Sequence, residues 1–133
     1  MEMSRKIIAL LSLAALFLLV PSPALAQPTK DQIAEARAHY KKGLDLYEEG
    51  DFDAALIEFQ RAYDTAPAYK ILYNIGLVQR QLKDYAGSLR SFKKYLEDGG
   101  KRIDAKRQTD VEKDIEKLSG RVAQVKLTTN VER

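Results

Sequence analysis

The chain has 133 residues, no cysteine, 45% hydrophobic and 31% charged residues, and a formal net charge of +3. This length and balance suit one small globular domain. The missing cysteine excludes disulfides, thiolate metal sites and cysteine nucleophiles together, so in an oxidising compartment the fold must be stable without cross-links.

The chain opens with Arg5 and Lys6, then Ile7 to Val20, fourteen residues without a charge. Pro21 and Pro23 stop a helix there, and Ala24-Leu25-Ala26 offers a small-x-small cleavage site. That order of parts predicts a secretory signal peptide over residues 1–26, cleaved after Ala26, and hence a periplasmic or secreted protein beginning at Gln27. A membrane span needs about 20 apolar residues. The competing reading is an uncleaved anchor, which would make this segment the chain's one membrane contact. Without a cysteine after the apolar run, lipoprotein processing is excluded. The remaining chain carries 20 basic against 18 acidic residues, a net +2. That is too near balance to argue for nucleic acid or an anionic membrane surface.

Shifting the sequence by 33 residues aligns it with itself. Tyr40 falls on Tyr73, Gly43 on Gly76, Leu44 on Leu77, Asp51 on Asp84, Leu56 on Leu89 and Phe59 on Phe92. Phe52 meets Tyr85, Ala55 meets Ser88 and Arg61 meets Lys94. A first helix is predicted over 31–49. Thr29 and Gln32 form its capping box, and Ile33, Ala36, Tyr40, Gly43 and Tyr47 share one face. Gly50 ends it in a left-handed cap. Asp51 caps a second helix with Ala55, Phe59, Ala62 and Ala66 inward, and Pro67 stops it. A third helix spans 69–82, with Leu72, Ile75, Val78 and Leu82 on one face. Asp84 caps a fourth, which Gly99-Gly100 terminates.

A fifth helix is predicted from about 102 to 118, extending to 123. Ile103, Val111, Ile115, Leu118 and Val122 give it a thin apolar stripe under charged outer faces, as a terminal capping helix needs. Residues 124–129 alternate, with Val125, Leu127 and Thr129 on one side, which predicts a short strand. A lone strand needs a partner that this chain does not contain.

The two helix pairs resemble the tetratricopeptide repeat family. The likeness rests on Gly43, Gly50-Asp51-Phe52, Ala55, Phe59, Ala62 and Pro67, and in the second unit on Gly76, Asp84-Tyr85 and Phe92. It covers residues 36–100. The period is 33 where the family's is usually 34. His39 stands where a large aromatic is common, Ser88 and Tyr95 occupy small-residue positions, and Gly100 replaces the proline. The resemblance implies an all-α stack of two helix-turn-helix repeats, at about 36–68 and 69–100, with a capping helix over 102–123, together one domain over 27–123. The end of the chain, 124–133, is similar to the lead-in to a PEGA-type small β domain, which implies a truncated sequence.

By resemblance the concave groove binds an extended or helical peptide. Its positions here are Arg37, Tyr40, Leu44, Tyr47 and Glu48, with Lys70, Tyr73, Leu77, Arg80 and Gln81 from the second unit. Tyrosines bury a large ring while keeping a polar tip, which suits such a surface. The alternative is that Tyr40, Tyr47 and Tyr73 merely pack between repeats. Some family members clamp a terminal carboxylate in this groove; Tyr40 and Leu44 occupy two of the clamp positions, which argues against that activity here.

No catalytic residues and no cofactor are expected. His39, the single histidine, has no cysteine and no convincing acid partner in the sequence, so it supplies neither a metal site nor a triad. Glu48, Glu49, Asp51 and Asp53 lack the spacing of a calcium loop. Lys93, Lys94, Lys101, Arg102, Lys106 and Arg107 form a basic region that could meet an anionic polymer or an acidic partner. Interleaved Glu97, Asp98 and Asp104 favour a solvated surface. These readings converge on an exported adaptor with a protein or peptide partner. The alternative is a self-associating or envelope-docking module, because two repeats are few for a self-sufficient core. That alternative favours a homodimer or a longer parent.

Overall fold

A computed structural model describes residues 27–131, with side chains described to residue 128. The leader expected over 1–26 lies outside the described residues. Among the described residues no helix is long and apolar enough to cross a membrane.

The described chain is all-α: α1 Lys30–Glu49, α2 Phe52–Thr65, α3 Tyr69–Gln81, α4 Tyr85–Gly99, a 3-10 turn Gly100–Arg102, and α5 Ala105–Val131. The termini follow the expected capping chemistry. The Thr29 hydroxyl accepts from the Gln32 N–H while the Gln32 side chain accepts from the Thr29 N–H, closing the capping box of α1. Asp51 accepts from the Ala54 N–H at 3.1 Å and Asp84 from the Gly87 N–H at 2.8 Å. Each satisfies a helix donor that would otherwise have no partner, worth about 1 kcal/mol. Gly50 ends α1 at φ 82°, a left-handed cap that glycine adopts without a Cβ clash. Lys83, 33 residues on, holds the same left-handed region at φ 63° with a side chain attached.

Helix pairs pack α1 on α2 and α3 on α4, and the pairs meet through α2 against α3. Two small residues set how closely each pair approaches. A Cβ on Gly43 would stand 2.8 Å from the Phe59 ring, and one on Gly76 would stand 2.6 Å from the Phe92 ring. Each glycine therefore lies against the aromatic of its own pair. Ala55 and Ser88, both fully buried, are the matching small residues of α2 and α4. Two apolar clusters result. Ala55, Phe59, Ala62, Ile71, Ile75 and Val78 form the first. Leu72, Phe92, Tyr95, Ile103, Val111 and Leu118 form the second. Helix α3 serves both, which makes the two pairs one folded body. Burial of a ring such as Phe59 or Phe92 contributes about 1.5–3 kcal/mol.

The C-terminal region departs from expectation in two ways. Helix α5 starts at Ala105, because Gly100–Arg102 closes a 3-10 turn and Asp104 then accepts from the Arg107 N–H at 2.9 Å. Residues 124–129 do not form the expected strand; α5 continues through them to Val131. A single strand would leave its backbone groups without partners, whereas a helix pairs them within the segment. Thr128 adds local bonds, its hydroxyl meeting the carbonyls of Gln124 and Val125. The likeness to a β-domain lead-in rested on that strand and loses its support. Every side chain from Ala123 to Thr128 is exposed, so this part of α5 runs beyond the packed stack.

Candidate functional site

The residues expected to line a groove come from α1 and α3. Arg37, Leu44, Glu48, Lys70 and Gln81 are exposed, and Tyr40, Tyr47, Tyr73, Leu77 and Arg80 are half-buried. Tyr40, Leu44 and Tyr47 stand four and three residues apart, so they share one face of α1. Tyr73, Leu77 and Gln81 do the same on α3.

Side-chain bonds join these faces in register. Asn74 Nδ2 donates to the Tyr40 hydroxyl at 3.0 Å, and Gln81 Nε2 donates to the Tyr47 hydroxyl at 3.4 Å. Shifted by 33 residues, the same two links recur between α3 and α5. Arg107 donates to the Tyr73 hydroxyl at 2.8 Å, and Arg80 donates to Asp114 at 3.0 Å. Helix α5 therefore stands against α3 as α3 stands against α1. Three helices form one continuous face, although the sequence repeat stops after Gly100.

The tyrosines pack through their rings, and their hydroxyls join the face of α1, α3 and α5. The Tyr40 ring packs against Phe59, with centroids 5.6 Å apart, and its hydroxyl reaches Asn74. The Tyr73 ring packs against Phe92 and Tyr95 at 5.8 and 5.5 Å, while Arg107 lies over its other side at 4.8 Å. Tyr47 packs edge-on against Phe52. In each case the ring belongs to the core and the polar tip to the face.

Two clefts open along this face. One, of about 360 Å³, lies between α3, the 3-10 turn and α5, with Tyr69, Tyr73 and Tyr95 beside Lys70, Arg102 and Arg107. Arg102 lies over the Tyr69 ring at 4.7 Å and donates to the carbonyls of Gly99 and Asp98. Burial pushes the Tyr95 hydroxyl above its ordinary pKa, partly opposed by the Arg107 charge, so it stays a neutral donor. The second cleft, of about 670 Å³, is mainly aliphatic, with Ile33, Ala36, Ala66, Pro67 and Ile71 in its wall and Arg37 at its edge. Tyr40 and Lys70 belong to both clefts, which are therefore contiguous.

On the other side of the first pair, His39 does have an acid partner, which corrects the sequence expectation. Its Nδ1 lies 2.6 Å from Glu58, which is only 4% exposed and also accepts from Lys42 at 3.0 Å and Arg61 at 3.4 Å. The hydrogen bond with His39, then that from Lys42, holds the Glu58 carboxyl below its ordinary pKa. The crossing of α1 over α2 brings together residues 19 apart. The signal was present: Glu58 falls on the Ala55, Phe59, Ala62 stripe, where a carboxylate needs partners. Among the described residues, no group of three or more His, Cys, Asp or Glu side chains is arranged to hold a metal ion.

Asp114 and Tyr69 also contribute to the face without any signal in the sequence pattern, and Asn74, one position away from the family's carboxylate-clamp site, contributes through its amide. Asn74 and Arg107 are equivalent positions, as are Gln81 and Asp114, but their chemistry changes from amide to guanidinium and from amide to carboxylate. Identity matching therefore passes over them. In comparisons with known proteins, no family model matched the chain and no curated protein matched it significantly.

Proposed function

We propose that this chain is an exported scaffold of the tetratricopeptide type that binds a protein or peptide along the face of α1, α3 and α5, and that it works as a binding module and not as an enzyme. The observation that carries the reading is the set of links repeated at 33 residues. They hold three helices in one register and leave Arg37 and Lys70 exposed along two contiguous clefts, with Leu44 exposed farther along α1. Such a face offers a peptide a fixed row of apolar and charged contacts, so little ordering is required of the receptor on binding. Rings packed in the core keep the tyrosine hydroxyls in place without side-chain entropy to lose.

Capture from an envelope extract tests this reading. Wild-type protein should retain a specific partner, and Leu44→Glu should lose it while keeping its helicity, because Leu44 is 36% exposed and belongs to neither apolar cluster. Equal capture by the variant would remove the groove assignment. Tyr40→Ala and Tyr73→Ala are poor probes, since both rings pack against buried aromatics.

A second reading is favoured by Leu127, 66% exposed where α5 runs beyond the stack. It is that this end of α5 docks on another copy or on a further domain. A dimeric mass in solution that reverts to monomer in Leu127→Lys would support it.

A further inference from the structure

We infer that the groove selects an extended peptide segment in which an aliphatic side chain is followed or preceded, a few residues away, by an aspartate or glutamate side chain. This rests on the groove reading above and adds the chemistry of the ligand.

The charge distribution along the two clefts carries the inference. Of the cations paired with carboxylates of the chain, Lys41, Lys42, Arg61, Lys94 and Lys106 lie away from the two clefts and Arg80 stands on the face of α3, while others such as Lys30, Arg90 and Lys113 are without an ion pair among the described residues. Arg37, Lys70, Arg102 and Arg107 line the clefts, and none of them has a carboxylate within ion-pair distance among the described residues. One acid, Asp104, shares the cationic cleft, and its carboxylate is already engaged in capping α5. Four cations thus face one occupied carboxylate, in a chain whose residues from 27 onward carry 20 basic and 18 acidic side chains. The lining of the two clefts is therefore locally positive.

The cations are also held ready. Arg102 and Arg107 lie over the Tyr69 and Tyr73 rings at 4.7 and 4.8 Å, and each is fixed by hydrogen bonds. A guanidinium stacked on a ring keeps its outer edge for a carboxylate, and its orientation costs little to fix. Next to them the Ile33, Ala36, Pro67 and Ile71 wall suits an aliphatic side chain. Tyr40 and Lys70, common to both clefts, connect the apolar and cationic positions.

A side-chain carboxylate fits better than a chain terminus. The cations line two adjoining clefts, Lys70, Arg102 and Arg107 in one and Arg37 with Lys70 in the other, so a ligand meets them at more than one position along its length. The Asn74 amide, which could have closed around a terminus, is engaged with the Tyr40 hydroxyl and the Lys70 carbonyl.

Fluorescence anisotropy tests this with labelled, acetylated and amidated serine-alanine peptides that carry one leucine and one aspartate at increasing spacing. One matched set replaces aspartate by asparagine. A second lacks aspartate but ends in a free carboxylate. At one spacing or more, the aspartate peptide should bind about tenfold tighter than its asparagine match. That preference should fall with added salt and shrink about threefold in Lys70→Gln. Lys70 is exposed and makes no side-chain bond, so this variant keeps the fold. Equal binding of the aspartate and asparagine peptides overturns the inference; if Leu44→Glu abolishes that binding, the groove reading itself survives. Equal or tighter binding of the free-carboxylate peptide assigns the anion to a chain terminus and also overturns it. Failure of every peptide overturns it too, while the groove reading stands or falls by capture from extract.

Discussion

Adding one methyl group at two glycines should move stability in opposite directions. A Cβ on Gly76 would lie 2.6 Å from Cε1 and 2.7 Å from Cδ1 of Phe92, a ring with no exposed surface and no room to retreat. Overpacking of this kind costs about 1–3 kcal/mol, and this site lies toward the upper end because the neighbour is a rigid ring. Replacing glycine by alanine inside a helix returns about 1 kcal/mol. The net expectation for Gly76→Ala is a loss of about 1–2 kcal/mol. At Gly120 in α5 nothing lies within 4 Å of the added Cβ. Gly120→Ala should therefore gain about 0.5–1 kcal/mol. Denaturant unfolding followed by circular dichroism measures both, and 1 kcal/mol corresponds to about 4–8 °C in Tm for a domain of this size. If Gly76→Ala stabilises the protein as much as Gly120→Ala, close contact between α3 and α4 at Phe92 is wrong.

Three further outcomes follow from particular contacts. Because Glu58 is held below its ordinary pKa, it contributes stability that is present above the unfolded glutamate value of about 4.3 and is lost as pH falls through the folded value. Glu58→Gln should flatten the acid limb of a stability-versus-pH curve while changing its slope little near neutrality; an unchanged acid limb would show that the His39–Glu58 contact is not maintained in solution. Lys83→Gly should raise stability by up to about 1 kcal/mol in thermal unfolding, because it relieves a left-handed backbone that Gly50 holds freely in the first unit. Leu118→Ala, at a side chain 3% exposed, should cost about 2–3 kcal/mol, and amide exchange should quicken in α5 much more than in α2.

The helix pairs were legible because each boundary has a local chemical cause. Thr29, Asp51 and Asp84 cap, Gly50 turns and Pro67 breaks, and none of these needs a distant contact. The 33-residue shift added tertiary information, since Gly43 with Phe59 and Gly76 with Phe92 are the same contact twice. Most of what escaped was tertiary in origin. Lys83 is the equivalent of Gly50 and closes α3 with the same helix-end bonds, but lysine, unlike glycine, carries no sign of a left-handed conformation. The alternation of Val125, Leu127 and Thr129 has the period of a strand, and backbone hydrogen bonding within a helix outweighs it where the described residues offer no partner strand. Glu58 stands on the inward stripe of α2, but only the crossing of α1 over α2 shows that His39 is its partner. Helix α5 lost the repeat's identities while keeping its place, so the third helix of the face could be seen only when Arg107 was found on Tyr73 and Asp114 on Arg80. The groove's positive excess was hidden for a related reason, because Arg37, Lys70, Arg102 and Arg107 are scattered along 71 residues of sequence and gather only in the fold.

The most direct test of the central claim is site-specific photo-crosslinking. A photoreactive phenylalanine analogue is placed at Leu44, on the face of α1, α3 and α5, or at Ile57, which is 50% exposed on α2 and outside the proposed groove. Irradiation in envelope extract should give a discrete adduct from position 44 and none from position 57, and an aspartate-bearing competitor peptide should suppress it. An adduct formed at position 57 alone, or equally at both positions, would contradict a binding face made by these three helices.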